Sequence, residues 1–333
     1  LSRPTCSVVI PTYNGRALLE TCLASVERHW PAGVAIEVIV VDDGSTDGTA
    51  EWLDTAYPAV RLVRLERNGG FCAAANAGIA AARGRIIQLL NNDTEVQAGW
   101  IEAGIALFED PRVGSVAPLV LSRSDPSRVD SAGDRYLWFG WPMKRGRGQA
   151  AARWIRHRSD TVFGASGSTA FYRAEPLQRL GGFDPAYGAY YEDVDLAFRL
   201  RRAGFTCRYA PACRVLHEVS ASYDHRLPQI QRMMARNAER LFWSNVPPGW
   251  LIAGALPHVA FVVIQGIWRV CRGRGLPFLL GKLDALHDCT GVQQARIART
   301  RLRRGVAAVS LQRGHRSGGL SNRRAEGVRE SNR

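Results

Sequence analysis

The first 118 residues alternate between two hydrophobic patterns. Short apolar-rich runs occur at 6–11 (CSVVIP), 36–43 (IEVIVVDD), 60–65 (VRLVRL), 85–90 (RIIQLL) and 113–118 (VGSVAP). Between them lie segments whose apolar residues recur at three- and four-residue spacing, at 17–29, 48–57, 70–82 and 98–110. Runs rich in Val and Ile predict strands, and the intervening period predicts helices. Nearly continuous apolar strands alternating with helices predict an α/β fold with a parallel sheet covered on both faces. In such sheets ligands bind beyond the C-terminal ends of the strands.

That rule gathers the unusual residues on one edge. Tyr13, Asn14 and Gly15 follow the first strand, and Asp42, Asp43 and Gly44 the second. Asn68, Gly69 and Gly70 follow the third, and Asn91, Asn92 and Asp93 the fourth. Turn chemistry explains one such cluster, since Asn, Asp and Gly favour turns. Four in succession predict a crevice of nucleotide size.

Past residue 118 the pattern loosens. Residues 119–160 mix Gly, Pro, Arg and Trp without a period, as functional or mobile stretches do. Order returns with a strand over 167–173, a short helix, a turn at 181–185 (GGFDP) and a helix over 192–204. Two short strands (FTCRYAP, CRVLHE) and a helix over 227–245 follow. Residues 250–270 (WLIAGALPHVAFVVIQGIWRV) are the most apolar stretch. A membrane span needs about 20 apolar residues, but Pro257, His258 and Gln265 interrupt this one. Trp250 and Trp268 flank it, and Arg269, Arg272 and Arg274 follow. This predicts a helix or helix pair lying in a membrane interface, with a helix pair packed on the domain as the alternative.

Charge sharpens the organisation. The net charge is +14, and from Thr290 to Arg333 there are eleven arginines against two acids, Glu326 and Glu330. Residues 290–333 are therefore expected to form a basic, mostly disordered tail. The arginines lack a patterned helix with interleaved aromatics, so no nucleic-acid partner is expected; acidic lipid head groups fit better. Seven cysteines, an odd number without C-x-x-C, predict reduced thiols in a cytoplasmic protein. TCSVVIP is short and strand-like, so no signal peptide is expected.

Candidate chemistry sits on acids. Asp42 and Asp43 open VVDDGSTDGT (40–49), where helix capping accounts for Asp47 or Thr46 but not for both earlier acids. Asp93 is a lone carboxylate at a strand tip. Glu192, Asp193 and Asp195 fill the first turn of a helix, where acids oppose the dipole. His217 taken alone reads as a hydrogen-bonded interior histidine. The stretch 164–169 (GASGST) has Ser168 where a nucleophile elbow needs its second glycine, which excludes a serine hydrolase. Tyr136, Trp138, Phe139 and Trp141 suit sugar stacking, lipid contact or core packing alike.

Five motifs in order (SVVIPTYNG, VVDDGSTDGT, NGGFCAAANAGI, LLNNDTEV and GGFDPAYGAYYEDVDLAFRLRRAG) resemble those of family 2 glycosyltransferases with the GT-A fold. The resemblance covers roughly residues 5–245 and points to the rhamnosyl- and galactofuranosyltransferase-like branch. It implies a domain over 1–245, with a nucleotide-binding half (1–118) and an acceptor-binding half (119–245), followed by an apolar helical segment (246–289) and the tail (290–333). Pro11, Tyr13, Asp42, Asp43, Asn68 and Gly70 are implied to meet the nucleotide. Asn91, Asn92 and Asp93 are implied to meet the donor sugar and diphosphate. Asp93 matches the last acid of the family's D-x-D element and implies a divalent cation, Mg²⁺ or Mn²⁺, with His217 as a further ligand. The element has one carboxylate here, which weakens the expectation of tight metal binding. Asp193 is implied to be the general base of an inverting transfer, with Glu192 orienting the acceptor, and Gly182 and Phe183 shaping the acceptor wall.

The expected reaction is transfer from a dTDP- or UDP-sugar to a hydroxyl of a glycan or lipid-linked saccharide. The expected place is peripheral, on an anionic membrane surface at the cytoplasmic face. A sugar nucleotidyltransferase would need a Gly-rich, basic loop after the first strand, where Thr12-Tyr13-Asn14-Gly15-Arg16 stands instead. A non-catalytic partner of a glycan-assembly complex would tolerate loss of the acids, yet Asp43, Asp93 and Asp193 are all present.

Overall fold

The computed structural model of the chain describes residues 3–218 and 226–300. The elements alternate through the first half as the pattern predicts: β1 (Cys6–Thr12), α1 (Arg16–Arg28), β2 (Ile36–Asp42), α2 (Thr49–Ala56), β3 (Arg61–Arg64), α3 (Phe71–Ala81) and β4 (Ile86–Leu89). These four strands are parallel, in the order β4-β1-β2-β3. Thr12 is in register with Asp42, and Asp42 with Arg64, so three strands end level. That register is what turns scattered polar motifs into one edge. Val9, Ile39, Val41 and Leu89 form one buried layer, and Val8, Ile10, Val38 and Val40 the opposite one, as a doubly covered sheet requires. Helix α3 lies close on the sheet because Gly78 has no side chain. A Cβ there would come 2.2 Å from Val9 Cγ1.

The second half interleaves antiparallel strands. It comprises β5 (Thr94–Val96), α4 (Trp100–Ala106), β6 (Val113–Ser122), β7 (Val129–Ser131), β8 (Asp134–Leu137), β9 (Trp141–Lys144), α5 (Ala151–Ile155), β10 (Thr161–Val162), β11 (Phe171–Arg173), α6 (Ala174–Arg179), α7 (Glu192–Arg202) and β12 (Thr206–His217). Strand β11 pairs antiparallel with both β4 and β6, and β12 runs parallel to β6. Short β5 pairs antiparallel with β12, with Thr94 opposite His217 and Val96 opposite Val215. This pairing brings the Asn91–Asp93 tip beside the end of a strand more than 120 positions later.

Several expectations need correction. The stretch 119–160 is ordered, since β6 runs through Ser122 and is followed by β7, the β8–β9 hairpin and α5. The two short strands over FTCRYAP and CRVLHE are one strand, β12, with a register irregularity between Ala210 and Arg214 around Pro211. The strand expected over 167–173 is limited to Phe171–Arg173. Of the two forms expected for residues 250–270, a helix or a helix pair, the structure has the single helix.

The C-terminal layer is helical: α8 (Pro228–Asn245), α9 (Pro248–Val270) and α10 (Gly275–His287), with 289–300 helical beyond. Buried His258 fixes α9. Its ring stacks on Phe242 of α8 with centroids 3.6 Å apart. Nδ1 lies 2.9 Å from Phe139 O, and Nε2 lies 3.0 Å from Glu239 Oε2. Glu239 also accepts from Lys282 of α10 at 2.5 Å, so one buried carboxylate joins three helices. Burial alone would raise the Glu239 carboxyl, but His258 and Lys282 outweigh it and hold it down at about 2. The rest of α9 is open. Ala253–Val270 is long and apolar enough to cross a membrane, and only 11 % of it is buried. Leu256, Val263, Ile264, Ile267 and Trp268 are all exposed. Residues 290–300 of the expected tail are helical and docked: Arg296 donates to Trp243 O and Val246 O, and Arg299 is buried. The remainder of the expected tail, 301–333, lies outside the described residues.

Candidate active site

The strand-tip loops hold one another. Asp43 is buried and accepts from Gly69 N and Gly70 N, both at 2.8 Å, tying the second tip to the third. Burial raises its carboxyl against the pull of those two N–H groups. Asp42 accepts from Ser45 N at 3.1 Å. Asn14, at φ 46°, accepts from Thr46 N and donates its own N–H to Ser45 Oγ, joining the first tip to the second. Tyr13 is exposed, while Pro11 is buried within β1. Asp47 accepts from Thr49 N, the capping role expected of it. Asn68 Oδ1 accepts from Gly70 N. Thus the six implied nucleotide residues share one edge of the sheet.

Beside this edge opens a cavity of about 820 Å³, within the range that holds small ligands. Phe71, Asn91 and Asp93 line it, with Ser166, Gly167 and Ser168, Glu192 and Asp193, and His217. Asn92 does not line it; its Nδ2 donates to Thr12 Oγ1 at 2.9 Å, anchoring the tip to β1. Asp93 and His217 meet because of the β5–β12 pairing, with Nε2 3.4 Å from Asp93 Oδ1. The other ring nitrogen, Nδ1, lies 3.1 Å from Asp130 Oδ2.

Asp130, from β7, escaped the sequence reading. It is buried and also accepts from Lys144 Nζ at 2.9 Å. Burial opposes its ionisation, but His217 and Lys144 overcome that and hold the carboxyl well below the usual range. A carboxylate on the far nitrogen of a metal-ligating histidine fixes its tautomer and orientation. Asp93 and His217 thus form a two-ligand, oxygen-and-nitrogen corner that faces the cavity. Among the described residues no third His, Cys, Asp or Glu joins them. That donor set fits a divalent cation whose remaining ligands are phosphate oxygens and water, as Mg²⁺ and Mn²⁺ sites on nucleotides are built.

The acid cluster occupies the α7 end of the cavity. Asp193 Oδ2 accepts from Gly167 N at 2.9 Å, and Oδ1 accepts from Val194 N at 2.8 Å. Buried beside it are Glu192 and Asp134, each with one carboxylate oxygen lacking a hydrogen-bond partner among the described residues. Burial raises all three carboxyls. Repulsion from Asp193 adds to it at Glu192 and Asp134, whereas at Asp193 the two N–H groups and the Lys144 charge oppose it. Asp193 is therefore the member that ionises most readily. Asp134 and Lys144 were also missed by the sequence reading, because they lie in the stretch without a period.

The backbone leading into α7 is unusual. Tyr190 and Tyr191 both have positive φ, 67° and 70°. Each such conformation costs about 1–3 kcal/mol and persists only where surroundings enforce it. The enforcer is Asn237 of α8, wholly buried, whose Nδ2 faces Tyr187 O, Ala189 O and Tyr190 O at 2.7–3.0 Å.

Two expectations fail here. Phe183 is fully buried against Phe71 and Tyr172, and its backbone is paired with Asn76, so it belongs to the core. Gly182, at φ 65°, lies against Asn76 and outside the cavity lining. Neither forms an acceptor wall. Asp195 does more than oppose a dipole: fully buried, it pairs with Arg199 at 2.8 Å and Arg299 at 2.7 Å and accepts from Asn245 at 2.7 Å.

Comparison with known proteins places this geometry. The family model described as glycosyl transferase family 2 matches residues 7–181. The N-acetylglucosaminyl-diphospho-decaprenol L-rhamnosyltransferase of Mycobacterium tuberculosis is 28% identical over 303 residues, covering 83% of this chain and 98% of that protein. The pre-mycofactocin glycosyltransferase of the same species is 30% identical over 233 residues, covering 70% of this chain and 45% of that protein. Among solved structures, GalNAc-T7 with UDP, GalNAc and Mn²⁺ superposes with a TM-score of 0.57 at 19% identity, over 72% of this chain and 50% of that one. The mannosyltransferase PcManGT from Pyrobaculum calidifontis, with GDP-Man and Mn²⁺, gives 0.54 at 20% identity, over 86% and 88%. The fold is that of the GT-A glycosyltransferases, and the chain is a glycosyltransferase that belongs to glycosyl transferase family 2, similar to its rhamnosyltransferase-like members.

Proposed function

We propose that this glycosyltransferase moves a sugar from a nucleoside diphosphate donor, dTDP-rhamnose or a UDP-sugar, to a hydroxyl of a lipid-linked saccharide, with inversion. The observation that carries this reading is a single cavity bounded by the Asp93–His217 corner and by the Asp193–Glu192 pair. Pro11, Tyr13, Asp42, Asp43, Asn68 and Gly70 hold the base and ribose at the strand tips. Asn91 and Asp93 face the donor sugar and diphosphate, and Asn92 supports them from Thr12. Asp93 and His217 would hold the divalent cation, which when bound neutralises the diphosphate and makes it a better leaving group. Asp193 takes the proton of the attacking hydroxyl as the bond to the anomeric carbon forms. Glu192 and Asp134, whose carboxyls burial and the Asp193 charge raise, each present an oxygen to the acceptor's hydroxyls. The M. tuberculosis rhamnosyltransferase, whose name specifies a diphospho-decaprenol acceptor, supports the lipid-linked class. The open apolar face of α9 supports a peripheral position on an anionic membrane, at the cytoplasmic side where nucleotide sugars are made.

Calorimetry of UDP and dTDP with Mn²⁺, Mg²⁺ or EDTA tests the donor half. One nucleotide should bind only with metal, and Asp93→Ala should abolish that dependence. Equal binding in EDTA and in the variant would remove the cation from the reading.

A further inference from the structure

Between the acid cluster and the outer surface, one wall of the cavity is cationic. Arg135, Lys144, Arg145, Arg147 and Arg153 line it, from the β8–β9 hairpin, the residues just after it and helix α5. Two are already neutralised, Lys144 on Asp130 and Arg145 on Asp160, both at 2.9 Å. Arg135 and Arg153 are exposed and have no ion pair among the described residues. Among the described residues exposed Arg147 approaches one carboxylate, Asp130, whose Oδ1 lies 3.8 Å away while its Oδ2 meets Lys144 and His217, so a single carboxylate faces three basic groups. Three guanidinium groups therefore face the cavity with charge to spare. The donor's phosphates are assigned to the Asp93–His217 corner, so this wall calls for a second anion. Guanidinium groups suit phosphate oxygens through their paired N–H donors.

What lies beyond the wall narrows the anion's identity. Trp141 and Met143 line the same cavity and are both exposed. Trp141 meets Phe261 of α9 with ring centroids 5.5 Å apart, and Phe139 meets the same ring at 5.0 Å. From Phe261 the exposed apolar side chains of α9 continue outward. Along the β8–β9 hairpin the order is thus the carboxylate of Asp134, then Arg135 opposite Met143, then the indole of Trp141, then an apolar helix, with Arg147 and Arg153 lining the same cavity. An amphiphile with a sugar, a phosphate link and a hydrocarbon chain presents complementary groups in that order. We propose that Arg135, Arg147 and Arg153 grip the diphosphate of a prenyl-diphosphate-linked acceptor, whose hydrocarbon leaves over Trp141 onto α9. This rests on the lipid-linked reading above and assigns to it a binding site of its own.

Binding is read separately from transfer so that the two can fail separately. The full chain in mild detergent is titrated with geranylgeranyl diphosphate, in EDTA to silence the cation corner, following tryptophan fluorescence. Wild type should bind it at least tenfold more tightly than inorganic pyrophosphate. Arg135→Gln/Arg153→Gln should weaken it about tenfold or more, while Mn²⁺-dependent nucleotide binding stays as in wild type and reports an intact fold. Three outcomes overturn the proposal: no binding, binding unchanged in the double variant, or pyrophosphate binding as tightly as the prenyl compound. Loss of glycosyl transfer to a prenyl-diphosphate sugar with this binding intact would sink the acceptor reading instead.

Discussion

At the scale of single residues, charge compensation decides which carboxylate works. Asp193 has two backbone N–H donors besides the nearby Lys144, whereas its buried neighbour Asp134 has the Lys144 charge without such donors and Glu192 only its own N–H. A base must be ionised to accept a proton, and burial raises the Asp193 carboxyl above the ordinary aspartate range. Activity should therefore fail, as pH drops, earlier than an exposed aspartate would dictate. Lys144 lowers that carboxyl, so Lys144→Met should move the acidic limb of the kcat/KM profile to higher pH. An unmoved or lowered limb would remove Asp193 from the role of base. Asp193→Asn should reduce kcat by about 10²-fold or more, the usual worth of a positioned base. Asp43, Asp93 and Asp193 could be read from sequence because each sits at a level strand end or a helix start. Asp130, Asp134 and Lys144 could not, since 119–160 shows no period and their partners are distant in sequence.

At the scale of elements, helix α7, which carries the proposed base, is held by a neighbour. The loop entering α7 carries two consecutive tyrosines in left-handed conformation, held by Asn237 from α8. Removing that amide takes a donor away from the buried Ala189 carbonyl and loosens its hold on Tyr187 O and Tyr190 O, and a buried group left unsatisfied costs about 1–3 kcal/mol. Asn237→Ala should lower kcat by tenfold or more while nucleotide affinity, set at the far strand tips, is kept. A variant with wild-type kcat and only a lower melting temperature would make Asn237 a core residue and nothing more. The first half of the sheet was legible because buried parallel strands announce themselves as apolar runs. Strand β12 was misread as two because Pro211 breaks the pattern, while the backbone crosses that break as a bulge. Phe183 was assigned to a wall by its place in a motif, whereas packing put it in the core.

At the scale of the whole molecule, the apolar face of α9 and the exposed Leu276, Leu279, Leu283 and Leu286 of α10 are too extensive for isolated surface hydrophobes. Arg272 lies over the Trp268 ring at 4.1 Å, putting a cation and an interfacial aromatic together at the end of α9. The full chain should float with vesicles containing anionic lipid, less so at high salt, and Ile264→Glu/Ile267→Glu should release it. Flotation unaffected by either change would place these helices against another protein instead.

The buried pair of Asp195 and Arg299 bears on how the enzyme is made. Synthesis runs from the N-terminus, and structure forms in that order. Every motif needed for sugar transfer has been translated well before Arg299 leaves the ribosome. Until then Asp195, at the start of the catalytic helix, has Arg199 as its sole guanidinium partner among the described residues. A nascent or prematurely terminated chain is thus complete in motifs and incomplete in charge. The catalytic helix matures only after the apolar helices have been made, so a fragment without them is expected to be a poor transferase. Completion of the chain as far as Arg299 is, in this sense, registered by one ion pair.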